Sequence, residues 1–166
     1  MALYLLDANF FIQTYRVNYP LDVAVSFWAK VKQLANEGKI FSIDKVKNEI
    51  YGSNDALENW CKENLPEDFF RDSTQVVPSY QEVVEWVISK NDHYTAAAIS
   101  EFLDTEEADA FIVAYALANR ENRIIVTHEV SEPHRKNKVK IPDVCYALDI
   151  RFTDTMGMFR ALGEGI

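Results

Sequence analysis

Leu3-Tyr4-Leu5-Leu6-Asp7-Ala8-Asn9 begins with an unbroken apolar run that ends directly in a carboxylate. A short apolar run without alternation is the pattern of a strand covered on both faces. Ile40-Phe41-Ser42-Ile43 and Ile124-Ile125-Val126 repeat it. Helical patterns lie between these runs. Pro20 opens one in which Val23, Phe27, Val31 and Leu34 recur at helical spacing until Gly38 stops it. Ser79 to Glu82 forms a capping-box pattern ahead of Val83, Val84, Trp86 and Val87. Asp104 or Thr105 can cap a helix running to about Asn119, and Ile150-Arg151-Phe152 adds a late strand. Strands alternating with helices predict an α/β fold, a three-layer α/β/α domain with a mainly parallel central sheet. In open sheets of that kind, sites lie at the carboxyl ends of the strands.

The chain has 166 residues, 48% of them hydrophobic and 13% aromatic. That is enough for one core without disulfides and excludes disordered, collagen-like and disulfide-scaffold classes. Only five Gly and five Pro are scattered along it, with no repeat or linker, so residues 1–166 read as a single domain. The longest apolar run, Ala110 to Ala118, falls short of the roughly 20 residues that cross a bilayer. Asp7 interrupts the N-terminal apolar stretch before it can act as a signal core. The expectation is a cytoplasmic chain with no membrane partner. Cys61 and Cys145 stand singly among apolar residues, as buried free thiols do. A net charge of -9 disfavours polyanions. Any nucleic-acid role therefore needs bound cations or a local basic patch.

Acids occur where burial makes them expensive. Asp7 follows the first strand, where either a site or a helix cap explains it, since Asp7 or Asn9 can cap a helix starting near Phe10. Glu129 follows Ile124-Ile125-Val126-Thr127-His128 and meets Asp7 if the two strands are neighbours; taken alone, a solvated loop explains it. Asp109 opens into Ala110-Phe111-Ile112-Val113-Ala114-Tyr115-Ala116-Leu117-Ala118, a helix apolar nearly all round and hence buried. Glu106 and Glu107 read as its first turn, with Asp109 a turn further in, where a desolvated carboxylate needs compensation. Glu49 sits in the second turn of a short helix that Asp44 can cap; alone, it reads as an exposed Glu paired with Lys45.

Together these acids sit on the same side of successive βα units, so they can converge. Clustered carboxylates in one apolar cleft do not all stay ionised without cations. Carboxylates lacking His or Cys partners suit hard ions, which points to Mg²⁺ or Mn²⁺, one or two ions, rather than zinc. His93, His128 and His134 lack ligand spacing, and His128 fits a substrate contact or, more simply, a solvated loop residue. His134-Arg135-Lys136-Asn137-Lys138-Val139-Lys140 is the one dense basic patch, and it fits phosphate contact, through Arg135, Lys136 and Lys138, or else a solvated loop or a partner-binding surface.

The runs Leu6-Asp7-Ala8-Asn9-Phe10-Phe11-Ile12, Glu49 after the second strand, Ala108-Asp109-Ala110-Phe111-Ile112-Val113-Ala114 and Val126-Thr127-His128-Glu129 resemble the PIN-domain ribonucleases. The likeness covers almost the whole chain in the right order and is nearest to the bacterial toxin–antitoxin group. Lys140-Ile141-Pro142-Asp143-Val144-Cys145 looks typical of a less-studied branch. The resemblance implies a PIN-like endoribonuclease in which Asp7, Glu49, Asp109 and Glu129 hold the ions and do the catalysis, with Asn9 and Thr127 in support. It implies an RNA substrate, a cognate antitoxin and a homodimer. One departure is Glu129, which stands where the family has Asp.

Two rivals remain. An aspartate-nucleophile phosphatase also places Asp after its first strand, but it wants a second acid two residues on, where Asn9 stands here. A PIN-like chain without chemistry, acting by partner binding, is the non-enzymatic reading.

Overall fold

The computed structural model describes residues 2–165. Five parallel strands, β1 (Leu3–Leu6), β2 (Ile40–Ile43), β3 (Phe70–Arg71), β4 (Arg123–Val126) and β5 (Arg151–Thr153), form one sheet in the order β3-β2-β1-β4-β5. Helices cover it: α1 (Ala8–Gln13), α2 (Val25–Asn36), α3 (Asp44–Ile50), α4 (Ala56–Asn64), α5 (Val77–Ser89), α6 (Ala96–Phe102), α7 (Asp109–Leu117), α8 (Ile141–Leu148) and α9 (Thr155–Leu162). The three-layer α/β/α architecture with a parallel sheet is thus present.

The strand order explains why the first apolar run carries so much weight. β1 is central, its register set against β2 through Tyr4 and Ile40 and against β4 through Leu3 to Leu6 and Arg123 to Val126. Leu5, Leu6, Phe41, Ile43, Ile125 and Val126 are buried, as a sheet covered on both faces requires. From β1 the chain winds outward through β2 to β3, then returns to β4 on the other side. The switch point therefore lies between the carboxyl ends of β1 and β4, where open α/β sheets form a crevice.

Several local expectations are corrected. Pro20 begins a separate turn, with its carbonyl accepting from the Val23 and Ala24 amides, and Val23 is 77% exposed. The Trp28 indole holds the Tyr19 carbonyl at 2.7 Å, and α2 begins only at Val25. Ser79 caps nothing. Asp72 caps a 3₁₀ turn (Ser73–Val76), and α5 follows directly with Pro78 in its first turn, so Ser79 is already helical. β3, two residues long, has too little pattern to be seen in sequence. Trp60 packs edge-on to Trp28, and Trp86 lies against the core.

Candidate active site

Asp7 leaves β1 and enters α1 in one step. Its amide still donates to Val126 O of β4, at 3.1 Å, while its Oδ1 accepts the Ala8 amide at 2.7 Å. It caps α1, and the same carboxylate faces the switch point: Oδ2 accepts the Thr127 hydroxyl at 3.0 Å. Capping and site placement are therefore not alternatives for this residue. Thr127 also accepts the Glu129 amide on its Oγ1, at 3.1 Å, so one hydroxyl orients the acids of both strands. Asp7 and Thr127 are each only 2% exposed.

Asp109 reaches the same place by another route, and here the sequence reading is corrected. The helix does not start at Asp104 or Thr105. Asp104 Oδ1 accepts the Glu106 amide in a tight turn, the Lys45 ammonium takes the Thr105 carbonyl, and Glu49 Oε1 accepts the Ala108 amide at 2.9 Å. α7 then starts at Asp109, which occupies the first turn that Glu106 and Glu107 were expected to fill. Glu49 thus caps α7 from α3 and makes no pair with Lys45. A carboxylate gains from a helix N-terminus, yet burial still raises the Asp109 pKa, opposed by Lys138 and Lys140 and reinforced by Glu107 and Glu101.

The electrostatics define the cluster. Burial raises Asp7 well above the ordinary carboxylate range, and repulsion from Asp109 and then Glu129 pushes it further. Glu129 is raised to about 7, first by burial and then by Asp109. Glu49 is raised to about 7, first by burial, with Asp109 and Glu107 adding to it against the Ala108 hydrogen bond. Asp109 is the hub that all three feel. Among the described residues, none of these acids takes part in an ion pair.

A cleft of about 240 Å³ opens beside them, lined in part by Asn9, Gln13, Asp109, Glu129, Lys138 and Lys140. Asp7 and Glu49 do not line it, and neither do Arg135 and Lys136. Arg135 is held by Glu132 and Asn137, and Lys136 is exposed. Lys138 does face the cleft, with Glu101 3.8 Å away. Gln13 was missed, and Lys140, although inside the basic patch, was not singled out. The signal for Gln13 was its spacing of four from Asn9 in one helix, whereas Lys140 was hidden at the end of the basic run. His128 is not a solvated loop residue. It is half-buried between Gln13 Oε1 at 3.3 Å and Thr155 Oγ1 at 2.8 Å, and burial lowers its pKa. Asp143, in the first turn of α8, accepts the Ser131 hydroxyl and the Glu132 amide.

The donor chemistry fits a hard divalent ion: every acid in the cluster is a carboxylate, the charges repel, and among the described residues no ammonium or guanidinium lies at ion-pair distance, Lys138 and Lys140 acting only from further off. The side chains as placed are less closed. Among the described residues, no three His, Cys, Asp or Glu side chains converge closely enough to hold one ion.

Neither the curated proteins nor the solved structures provide a match for this chain. The model of one family, a domain of unknown function (DUF4411), matches residues 4–166. The chain that places buried acids at the switch point of this sheet therefore belongs to the DUF4411 family.

Proposed function

We propose that the protein is a metal-dependent endoribonuclease of the PIN-like kind. The observation that carries this reading is that Asp7, Asp109 and Glu129, from three distant segments, lie near enough at the switch point for their charges to raise the Asp7 and Glu129 pKa values, with no cation at ion-pair distance among the described residues. Asp7, Asp109 and Glu129, with Glu49, would hold Mg²⁺ or Mn²⁺. Such ions activate water and stabilise the leaving oxygen of a phosphodiester when bound. The chain's own contributions are separate from that. Thr127 orients Asp7 and the Glu129 backbone, and Lys138 and Lys140 turn positive charge toward a polyanion. Asn9 and Gln13 offer amide donors at the rim.

The phosphatase reading fits less well. An attacking Asp needs an uncommitted oxygen, and both Asp7 oxygens are already hydrogen-bonded, one to the Ala8 amide and one to the Thr127 hydroxyl. A small ion needs only the remaining lone pairs. The resemblance to toxin nucleases supports a cognate antitoxin covering the cleft, a homodimer and a cytoplasmic location. The two buried free thiols suit a reducing compartment.

The deciding experiment is cleavage of total RNA by purified protein in Mn²⁺ or Mg²⁺, with EDTA and Asp109→Asn as controls. Discrete fragments that vanish in both controls are expected. No cleavage under either metal by folded protein overturns the reading. The absence of a closed three-acid set favours, as a second reading, a chain that acts by binding a partner. It predicts no heat-stability gain from Mn²⁺, whereas the nuclease reading predicts a gain that Asp109→Asn removes.

A further inference from the structure

Two recesses meet at Gln13 and His128. One is the acid cleft. The other is an open groove of about 570 Å³ between the turn Thr14–Asn18 and the start of α9. That volume suits a small organic group, since such sites span roughly 300–1,000 Å³. The chemistry of the two recesses differs. Gln13, Thr14, Asn18, His128, Asp154 and Thr155 line the groove, with Gln13 Oε1 and Thr155 Oγ1 bonded to the His128 ring, and among the described residues no Lys or Arg lines it. Val17, 69% exposed, adds apolar surface beside these groups.

Thr14 is the unexplained element. It is 1% exposed, lines the groove, and its Oγ1 has no hydrogen-bond partner. A buried hydroxyl without a partner is a defect unless something outside the protein completes it. Thr14 also opens a π-helical stretch, a rare conformation that is frequent at functional sites.

We propose that this groove is a nucleoside subsite, taking the base and ribose of the nucleotide next to the phosphate held in the acid cleft, with Thr14 Oγ1 bonding the base edge. The proposal deepens the nuclease reading and rests on it. Phosphate itself is disfavoured in the groove, where it meets the Asp154 carboxylate and no Lys or Arg, while Lys138 and Lys140 lie in the neighbouring cleft. Amides and hydroxyls together supply both donors and acceptors, as an unstacked base edge demands.

The test is titration of AMP, GMP, CMP and UMP separately into the intact protein in EDTA, followed by amide NMR shifts. At least one is expected to shift the Thr14, Asn18 and Thr155 amides, while inorganic phosphate alone does not. Thr14→Val removes a hydroxyl that bonds nothing in the protein, so its melting temperature should equal or exceed the parent's while nucleotide binding weakens about tenfold. Asn18→Ala, at an exposed position, should also weaken binding. Absence of binding, equal shifts with phosphate alone, or unchanged affinity in both variants would overturn the proposal. RNA cleavage without groove binding removes the subsite and leaves the nuclease. Groove binding by a chain that cuts no RNA keeps the subsite and removes the nuclease reading.

Discussion

Glu58 and Glu129 are acids withdrawn from water in the same domain, and they shift in opposite directions. Glu58, 3% exposed but close to the surface on α4, accepts the Gly52 amide and the Lys62 ammonium, the latter at 2.9 Å. The Lys62 hydrogen bond, then that of Gly52, holds its pKa below the ordinary value. Glu129 has Asp109 as a neighbour, and Lys138 and Lys140 only at longer range, so burial and repulsion raise it. Where an acid serves the fold, local donors satisfy it. Where acids gather at the switch point, hydrogen bonds and distant lysines do not offset burial and mutual repulsion, and the pKa values stay raised.

The largest expected effect is on activity. Asp109→Asn should reduce RNA cleavage more than a hundredfold, while Glu58→Gln leaves the rate per folded molecule unchanged and lowers stability; a rate assay on matched folded protein checks both. Equal losses would erase the contrast between the two regions.

Stability against pH comes next. Glu129 and Glu49 carry raised folded pKa values of about 7 against an ordinary 4.5, so the native state keeps protons that the unfolded state has released. Metal-free protein should therefore lose stability as pH rises from 4.5 through 7, by roughly 3 kcal/mol for Glu129 and less for the more exposed Glu49. Denaturant melts in EDTA should show this fall and Mn²⁺ should reverse it. Asp109→Asn should flatten it and leave the metal-free protein at least as stable as the parent. Glu58 works in the other sense, its contribution being lost as pH falls, so Glu58→Gln should alter only the acid side.

Two threonines sharpen the comparison at the level of one hydroxyl. Thr127→Val strips a donor from Asp7 and an acceptor from the Glu129 amide, and should lower metal affinity or activity by about 10–100-fold. Thr14→Val should cost the fold nothing, as calorimetry of the two variants side by side would show. The smallest effect lies far from the cleft. Asp149 ends α8 at φ 55, a left-handed conformation with a negative charge at a helix C-terminus. Asp149→Gly should raise stability by up to about 1 kcal/mol without touching cleavage.

Much of this was legible before any coordinates. The apolar runs at Leu3, Ile40 and Ile124 became β1, β2 and β4 because burial on both faces leaves a composition signal within four residues. Boundaries were less legible. The start of α7 was placed too early because Asp104 looks like a cap in sequence, whereas the Lys45 and Glu49 side chains of α3 hold 104–108 in a non-helical path. A cap supplied by another element has no local signature. The same reason hid the role of Glu49, which reads as an exposed helical acid until its partner is seen to be the Ala108 amide.

Sequence alone determined the layer architecture and the presence of acids in apolar settings, because side-chain period and composition are local properties written along the chain. Tertiary structure decided which acids meet. β1 lies beside β4 only after a crossover that carries the chain out to β3 and back, and that order brings Thr127 onto Asp7 from 120 positions away. It also decided that Lys140 and Gln13 enter the cleft while Arg135 and Lys136 do not, and that His128 is wedged between Gln13 and Thr155. Such choices depend on strand order and the aim of loops in space, and no periodicity in the sequence encodes them.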